Sequence, residues 1–172
     1  MAFLILIGMS GTGKSVLGRE IARLTSRTFL DTDSHIEKKY NLWVSQIFEK
    51  YGEEEFRKQE TELLKSLEPE HGVLITGGGT ILLKENREEF TRLGTTIFLE
   101  VPPERLKKRL RSSKRIRPLL NVENWEIEFD RMYTSRYKTY READYSIKLP
   151  DDNIKSCAKY IVEQLKREGV EL

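Results

Sequence analysis

Short apolar stretches alternate with amphipathic stretches along the chain. The apolar stretches are rich in Ile, Leu, Val and Phe and too short for helices, which is typical of buried strands. The amphipathic stretches repeat apolar residues every three or four positions, as in Leu17, Ile21 and Leu24, which predicts helices with one buried face. We predict strands at 3–7, 28–31, 73–76, 96–101 and 144–149, and helices at 14–24, 34–40, 53–67, from 102–103 onward, 125–142 and from 154 onward.

This alternation is typical of an α/β domain whose parallel sheet is covered by helices on both faces. The length of 172 residues suits one domain, and the chain has no internal repeat or long linker that would divide it. Ligands of such sheets bind at the carboxyl ends of the strands. Since several distinctive motifs of this chain follow predicted strands, we expect a functional site at that edge.

The composition excludes several classes of protein. Hydrophobic residues make up 38% and charged residues 34%, and the mean hydropathy is −0.56. The longest apolar run, 2–7, is far short of the ~20 residues of a membrane span and lacks the flanks of a secretory signal. The single cysteine, Cys157, cannot form an internal disulfide. We therefore expect a cytoplasmic protein without membrane association.

Positive charge is concentrated in one segment. The strip RLKKRLRSSKRIR at 105–117 contains eight of the 30 Lys and Arg residues and none of the 28 Asp and Glu residues, so the remaining chain is net acidic. Such a strip favours a phosphate-bearing ligand, either a nucleotide or a nucleic acid.

The segment after the first predicted strand, GMSGTGKS at 8–15, matches the phosphate-binding pattern G-x-x-x-x-G-K-[ST] and is here called the P-loop. Its glycines let backbone N–H groups turn towards an anion, and the helix that follows adds partial positive charge. Lys14 would reach the terminal phosphates of a nucleoside triphosphate, and the Ser15 hydroxyl would ligand Mg²⁺. Because the chain lacks an N-K-x-D guanine-reading motif, we predict a small-molecule kinase with a basic lid rather than a GTPase.

Three further features are candidates for binding the phosphoryl acceptor. Asp31 and Asp33 end the second strand, where one carboxylate could serve Mg²⁺ and the other a substrate hydroxyl, or Asp33 could only cap the next helix. Arg57 and Glu60 lie one turn apart, so Arg57 either grips a substrate carboxylate or forms an ordinary surface ion pair. The glycines at 77–79 either expose backbone to a ligand or merely connect two elements.

Together these residues resemble the shikimate kinase family over nearly the whole chain. The matching motifs are the P-loop, D-T-D at 31–33, G-E-x-x-F-R ending at Arg57, G-G-G at 77–79, R-P-L-L at 117–120 and Arg136 before Tyr140. The resemblance implies a three-layer α/β/α P-loop kinase fold, like that of nucleoside monophosphate kinases, with five parallel strands in the order 2-3-1-4-5. It also implies Mg²⁺- and ATP-dependent phosphorylation of the 3-hydroxyl of shikimate, a step towards chorismate and the aromatic amino acids.

The resemblance implies roles for individual residues. Lys14, Asp33 and Arg117 would be catalytic, with Asp33 the candidate base and Arg117 reaching the ATP phosphates from the lid. Ser15 and Asp31 would hold Mg²⁺, Asp31 through water. The implied nucleotide-binding residues are Gly11, Thr12, Gly13, Lys14, Ser15, Val16, Arg111 and Arg117. The implied shikimate-binding residues are Asp33, Arg57, Gly78, Gly79 and Arg136.

The same resemblance divides the single domain, 1–172, by task. It implies an acceptor-binding segment at about 33–61 and a lid at about 112–123. Arg111 would stack near the adenine, with Arg109 as the alternative because this lid is one residue shorter than in many relatives. Trp43 and the segment 137–139 depart from the family pattern near the acceptor side.

Three other interpretations stay open on the sequence. A gluconate-type sugar-acid kinase would also use a P-loop, but the D-x-D, F-R and R-P-L-L motifs argue against it. A nucleic-acid-binding module is disfavoured because the basic strip is short and lacks interleaved aromatic residues. A catalytically silent relative is disfavoured by the intact charged residues of both candidate sites. We therefore expect ATP and shikimate as the partners, no nucleic acid, and a monomer.

Overall fold

The computed structural model describes residues 2–113 and 116–172, so positions 114 and 115 of the basic strip and of the expected lid lie outside the described residues. The strands are β1 (Phe3–Ile7), β2 (Thr28–Asp31), β3 (Gly72–Ile75), β4 (Gly94–Glu100) and β5 (Tyr145–Lys148). The helices are α1 (Lys14–Thr25), α2 (Thr32–Tyr40), α3 (Val44–Ser66), α4 (Lys84–Leu93), α5 (Pro103–Arg111), α6 (Trp125–Tyr140) and α7 (Ile154–Arg167). Short 3-10 turns lie at Thr80–Leu82 and Pro118–Leu120.

The five strands form one parallel sheet in the order β2-β3-β1-β4-β5, which confirms the expected topology. Every residue of β1 and β3 is buried, because helices cover both faces of the central strands. Helix α1 packs against β3 and α7, and α4 packs against β4. At Gly18, a β-carbon would lie 2.2 Å from Ile75 Cδ1, so the missing side chain lets α1 lie directly on the sheet.

Two helical segments differ from the sequence prediction. Helix α3 begins at Val44 rather than at 53, and it is interrupted at Gly52, whose φ of +86° breaks the regular helix. Helix α4 was missed because only Phe90 and Leu93 supply large apolar side chains to its buried face. Asn41 ends α2 in the left-handed conformation, with φ +51°.

The hydrophobic residues form two clusters. The larger one surrounds the sheet and includes β1, β3, β4 and the inner faces of α1 and α7. The smaller one lies between α2 and α3 and is centred on Ile36, Ile47, Phe56 and Leu63. The segment expected to bind the acceptor therefore has its own small core. None of the helices in the described part of the chain is long and apolar enough to cross a membrane.

Candidate active site

A cleft of about 360 Å³ opens at the carboxyl ends of the strands. It is lined by the P-loop, by the start of α2, by the middle of α3, by the glycines at 77–79, by residues 116–120 and by α6. These segments are far apart in sequence, yet they contain most of the candidate nucleotide-binding and shikimate-binding residues. The cleft is therefore the candidate active site.

The P-loop curls around a space that it lines with main-chain groups. Gly11 and Gly13 both have φ of +88°, a backbone conformation that other residues rarely adopt, and Gly13 directly precedes α1. The Lys14 ammonium turns back over the loop and donates to the carbonyl oxygens of Gly8 (2.7 Å) and Met9 (3.2 Å). An anion at the start of α1 would meet backbone N–H groups and the positive end of the helix dipole.

Burial lowers the pKa of Lys14 from 10.5 to about 8. The nearby carboxylates of Asp33 and Asp31 act in the opposite direction, while Arg117 and Arg136 lower the pKa further. Lys14 therefore lies among two carboxylates at the end of β2 and the start of α2 and two arginines from elsewhere in the chain.

Ser15, at the end of the P-loop, and Asp31, at the end of β2, bring two side-chain oxygen groups together. The Ser15 hydroxyl donates to Asp31 Oδ2 at 2.6 Å, and Asp31 Oδ1 caps α2 by accepting from the Ser34 N–H at 3.3 Å. Asp31, rather than Asp33, thus supplies the helix cap that the sequence left open. Hard oxygen ligands of this kind suit Mg²⁺, which takes one or two protein oxygens together with water and substrate phosphates. Within 2–113 and 116–172, no group of three or more His, Cys, Asp or Glu side chains could hold a metal by itself.

Arg57 lies on α3 with its guanidinium facing the cleft, and its side chain is 17% exposed. NH1 donates to Glu60 Oε2 at 2.6 Å, while Nε and NH2 donate to Glu53 Oε1 at 3.2 and 3.0 Å. Burial acts to lower the pKa of Arg57, but the ion pairs with Glu60 and Glu53 outweigh it and raise the pKa. Arg57 is therefore a charged, partly buried group and not the ordinary surface ion pair that its spacing also allowed.

The glycine loop at 77–79 packs against this guanidinium. A β-carbon on Gly79 would lie 2.6 Å from Arg57 NH2, so a side chain at that position would collide with the arginine. Gly78 faces the P-loop, where a β-carbon would lie 3.4 Å from the Gly8 carbonyl oxygen. The loop therefore connects the part of the cleft that the P-loop lines to the part that Arg57 lines.

Arg136 enters the cleft from α6 and is 7% exposed, so it is not the solvated surface arginine that its helix pattern alone suggests. One turn later, the buried Tyr140 stacks on Phe98 and donates its hydroxyl to the carbonyl oxygen of Gly78. Burial raises the pKa of Tyr140 to about 12, so the hydroxyl keeps its proton for this bond. Arg136 and Arg57 thus face one cleft from separate helices.

Asp33 lies at the start of α2 and lines the cleft between the P-loop and the glycine loop. Its Oδ1 would be 3.0 Å from a β-carbon on Gly77, and its charge acts on Lys14. A carboxylate in this position faces both the phosphate-binding and the acceptor-binding parts of the cleft.

The structure places three arginines of the basic strip differently. Arg117 lines the cleft, and its NH1 donates to the Ser113 hydroxyl at 3.1 Å. Arg109 also lines the cleft and donates to the P-loop carbonyls of Gly11 (3.2 Å) and Thr12 (2.9 Å). By contrast, Arg111 pairs with Glu126 (Nε–Oε1 2.8 Å) and lies outside the described lining of the cleft.

The structure also adds residues that the sequence did not assign. The cleft has apolar lining near Arg57 and Arg136, supplied by Phe48, Phe56 and Met132. The periodicity of the sequence does not distinguish such residues from core residues. Trp43, which departs from the family pattern, is 66% exposed and lies outside the described lining of the cleft. In the other departing segment, Tyr137 packs against Phe98 and donates to Glu100.

Comparisons with known proteins identify the family to which this chain belongs. The family model of shikimate kinase matches residues 10–166. The chain is 36% identical over 165 residues to a shikimate kinase of Vibrio parahaemolyticus, covering 95% of both chains. A solved shikimate kinase from Acinetobacter baumannii, in complex with shikimate, superposes with a TM-score of 0.91 at 36% identity, covering 99% of this chain and 96% of that one.

A gluconokinase structure from Sinorhizobium meliloti provides a more distant comparison. It superposes with a TM-score of 0.61 at 13% identity, covering 97% of this chain and 93% of that one. At that level of identity the likeness concerns the P-loop kinase fold and not the acceptor.

Proposed function

Because this chain belongs to the shikimate kinase family, we propose that it transfers the γ-phosphoryl group of ATP to the 3-hydroxyl of shikimate, giving shikimate 3-phosphate and ADP. The observation that carries the proposal is the convergence of Arg57 and Arg136 on the cleft that contains the P-loop lysine. A small acceptor with a carboxylate and ring hydroxyls matches two guanidinium groups facing a carboxylate.

The acceptor is held by its carboxylate in this proposal. Arg57 and Arg136 bind it from α3 and α6, while Gly78 and Gly79 leave room for the ring against bare backbone. Arg57 NH1 donates to Glu60, while Nε and NH2 donate to Glu53, so the two carboxylates together set the plane of the guanidinium. Asp33 contacts the ring hydroxyls and orients the 3-hydroxyl, or accepts its proton, during transfer.

The donor is held mainly by its phosphates. The main chain of Gly11, Thr12 and Gly13 surrounds them, Lys14 contacts the terminal phosphates, and Arg117 closes from the lid. Val16 and Arg109 border the same side of the cleft, and Arg109 is better placed than Arg111 to meet the base. Ser15, with Asp31 acting through water, would hold Mg²⁺, which neutralises charge on the phosphates when bound.

Within the single domain we propose two mobile parts, the acceptor-binding segment 33–61 and the lid 112–123. The residues of the first segment surround a small core of their own, and those of the second carry repelling positive charges that phosphates would neutralise. The proposed protein is a cytoplasmic monomer. It binds these two small-molecule substrates and no nucleic acid.

The proposal is tested by a coupled ADP-release assay in which shikimate, quinate and gluconate are offered in turn with Mg²⁺ and ATP. Shikimate is expected to give the highest kcat/KM, and mass spectrometry of the product should show one added phosphoryl group. Preference for gluconate would instead identify the chain as a sugar-acid kinase. Absence of ADP release with every acceptor, in protein that binds ATP, would identify it as a catalytically silent relative.

A further inference from the structure

Glu60 is a charged side chain with no exposure to solvent. A carboxylate in such a place is stable only when both oxygens accept hydrogen bonds. Its Oε2 accepts from Arg57 NH1 at 2.6 Å, and its Oε1 accepts from the hydroxyl of Thr80. The two oxygens thus join a candidate substrate-binding arginine to a threonine that neither the family motifs nor the proposed function assigns.

Thr80 is held firmly by its surroundings. It is fully buried at the start of the 3-10 turn Thr80–Leu82, directly after the glycine loop. Its N–H donates to the Gly77 carbonyl at 3.3 Å, and its own carbonyl accepts from Asn86 Nδ2 at 2.8 Å. Asn86 lies on α4 and is also fully buried. The Thr80 hydroxyl is therefore a fixed donor, anchored by α4, whose residues lie outside the described lining of the cleft.

Glu60 is the fully buried ionic partner of Arg57, and the other neighbours of the guanidinium constrain it less firmly. Glu53 binds the opposite edge of the guanidinium, but its side chain is 46% exposed. Gly79 packs against the guanidinium, and the ring centres of Phe56 and Phe48 lie 5.6 and 6.0 Å from Arg57 Cζ, contacts that are less directional than a hydrogen bond. The last side-chain torsion of a glutamate is broad, so one bond to Arg57 does not fix the plane of the Glu60 carboxylate. The second bond, from Thr80, does fix it.

We propose that Thr80 is a positioning residue for acceptor binding: its hydroxyl fixes the carboxylate of Glu60, which in turn orients Arg57 towards the substrate carboxylate. This role rests on the proposed function, because it acts on the affinity for a carboxylate-bearing acceptor. It predicts a specific loss in one substrate's affinity and not a general loss of activity.

The test compares Thr80→Val, which keeps the shape and removes the hydroxyl, with Thr80→Ser, which keeps the hydroxyl. Thr80→Val is expected to raise the KM and the calorimetric Kd for shikimate about tenfold, while the KM for ATP and kcat stay within about twofold. Thr80→Ser should restore most of the shikimate affinity. With shikimate methyl ester as the ligand, Thr80→Val and the wild-type protein should have the same Kd, because the ester offers Arg57 no negative charge.

The matched control is Thr96→Val, because the Thr96 hydroxyl also donates to a carboxylate, Asp144 Oδ2 at 2.7 Å, outside the described lining of the cleft. It should leave both KM values unchanged. Should Thr80→Val fail to fold, Thr80→Ala against Thr80→Ser makes the same comparison.

Three results would overturn the role of Thr80 alone: an unchanged shikimate KM in the hydroxyl-deleted variant, an equal loss for shikimate and its methyl ester, or a Thr80→Ser variant as weak as the one without a hydroxyl. Failure of the wild-type enzyme to phosphorylate shikimate would overturn the proposed function and this role with it.

Discussion

The proposed nucleotide side of the cleft is formed largely by one contiguous loop, 8–15, whereas the proposed acceptor side is formed by side chains from α2, α3 and α6. The first follows β1, whose residues are all buried in the centre of the sheet. The second depends on Asp33, Arg57 and Arg136, which lie up to 103 positions apart in the sequence. Backbone N–H groups can bind a phosphate chain, which many substrates share. Recognition of one particular ring acid instead requires side chains held in specific positions.

The two sides also differ in what supports them. The P-loop joins elements that belong to the large cluster around the sheet, while α2 and α3 pack around the small cluster. Between them lies the glycine loop, fastened to α6 by Tyr140 and to α3 by way of Thr80 and Glu60. Changes on one side should therefore alter the affinity for one substrate and spare the other.

The largest difference between the effects on shikimate affinity and on ATP affinity is expected from Arg136→Ala. Loss of a buried guanidinium that binds the acceptor carboxylate costs about 2–5 kcal/mol, which raises the shikimate Kd by at least ~30-fold or abolishes turnover. The Kd for ATP should change by less than about twofold, since the P-loop is untouched. Calorimetric titration with each substrate measures both values.

The control for this change is Arg141→Ala, which removes a half-exposed arginine near the end of the same helix, 3.7 Å from Glu100. It should leave both affinities unchanged. Normal shikimate affinity in Arg136→Ala would remove Arg136 from the acceptor site.

Next in size is the effect of Asp33→Asn, which keeps the shape of the side chain and removes its charge. If Asp33 orients or deprotonates the 3-hydroxyl, kcat should fall by ~10²-fold or more while both substrates still bind. Steady-state and single-turnover kinetics measure this loss. Asp130→Asn, which alters a half-exposed carboxylate paired with Lys107, serves as the control and should be near normal. Turnover close to wild type in Asp33→Asn would contradict the role.

The same contrast explains what could be predicted from the sequence. The P-loop rests on a local pattern, a glycine spacing after a strand, and the alternation of strands and helices predicts a parallel sheet. The order of the strands came from the family resemblance. The start of α3 was wrong because the prediction began only after Gly52, which separates two helical pieces. The first piece carries apolar residues at i, i+3, i+4 and i+7 in Val44, Ile47, Phe48 and Tyr51, a period that predicts a helix there. The family motifs identified Arg57 and Arg136 as candidates, and the structure now brings both to one cleft.

Burial and long-range partners were not predictable in this way. Nothing near Glu60 in the sequence indicates that it is fully buried, or that its second partner, Thr80, is twenty positions away. Whether Arg109 or Arg111 faces the cleft depends on a half-turn of α5, and the spacing of residues in the sequence does not resolve it. Arg109 faces the P-loop and Asp152, whereas Arg111 faces Glu126.

A moderate effect of pH is expected on the nucleotide side alone. Lys14 has a pKa of about 8 before ATP binds, and the phosphates will raise it, so ATP binding above pH 8 must take up a proton at Lys14. The Kd for ATP should therefore rise with pH above 8, approaching about tenfold per pH unit, while the Kd for shikimate changes less. Calorimetry at pH 9 in buffers of different ionisation enthalpy should show close to one proton taken up per ATP. In Lys14→Arg, whose guanidinium stays charged, proton uptake should disappear; uptake that persists would place the titrating group elsewhere.

The smallest expected effect tests whether the small cluster belongs to the acceptor side. Ile47 is fully buried there, and Ile161 is equally buried in the large cluster on α7. Ile47→Val and Ile161→Val should each lower the free energy of unfolding by about 0.5–1.5 kcal/mol, because each removes one buried methylene-sized group. Only Ile47→Val should also raise the shikimate KM, by about two- to threefold, because it loosens the packing of α2 against α3 beside Phe56 and Arg57. Denaturant unfolding and steady-state kinetics on both variants measure this. If both variants raise the shikimate KM equally, the two cores act as one, and the acceptor segment has no separate support.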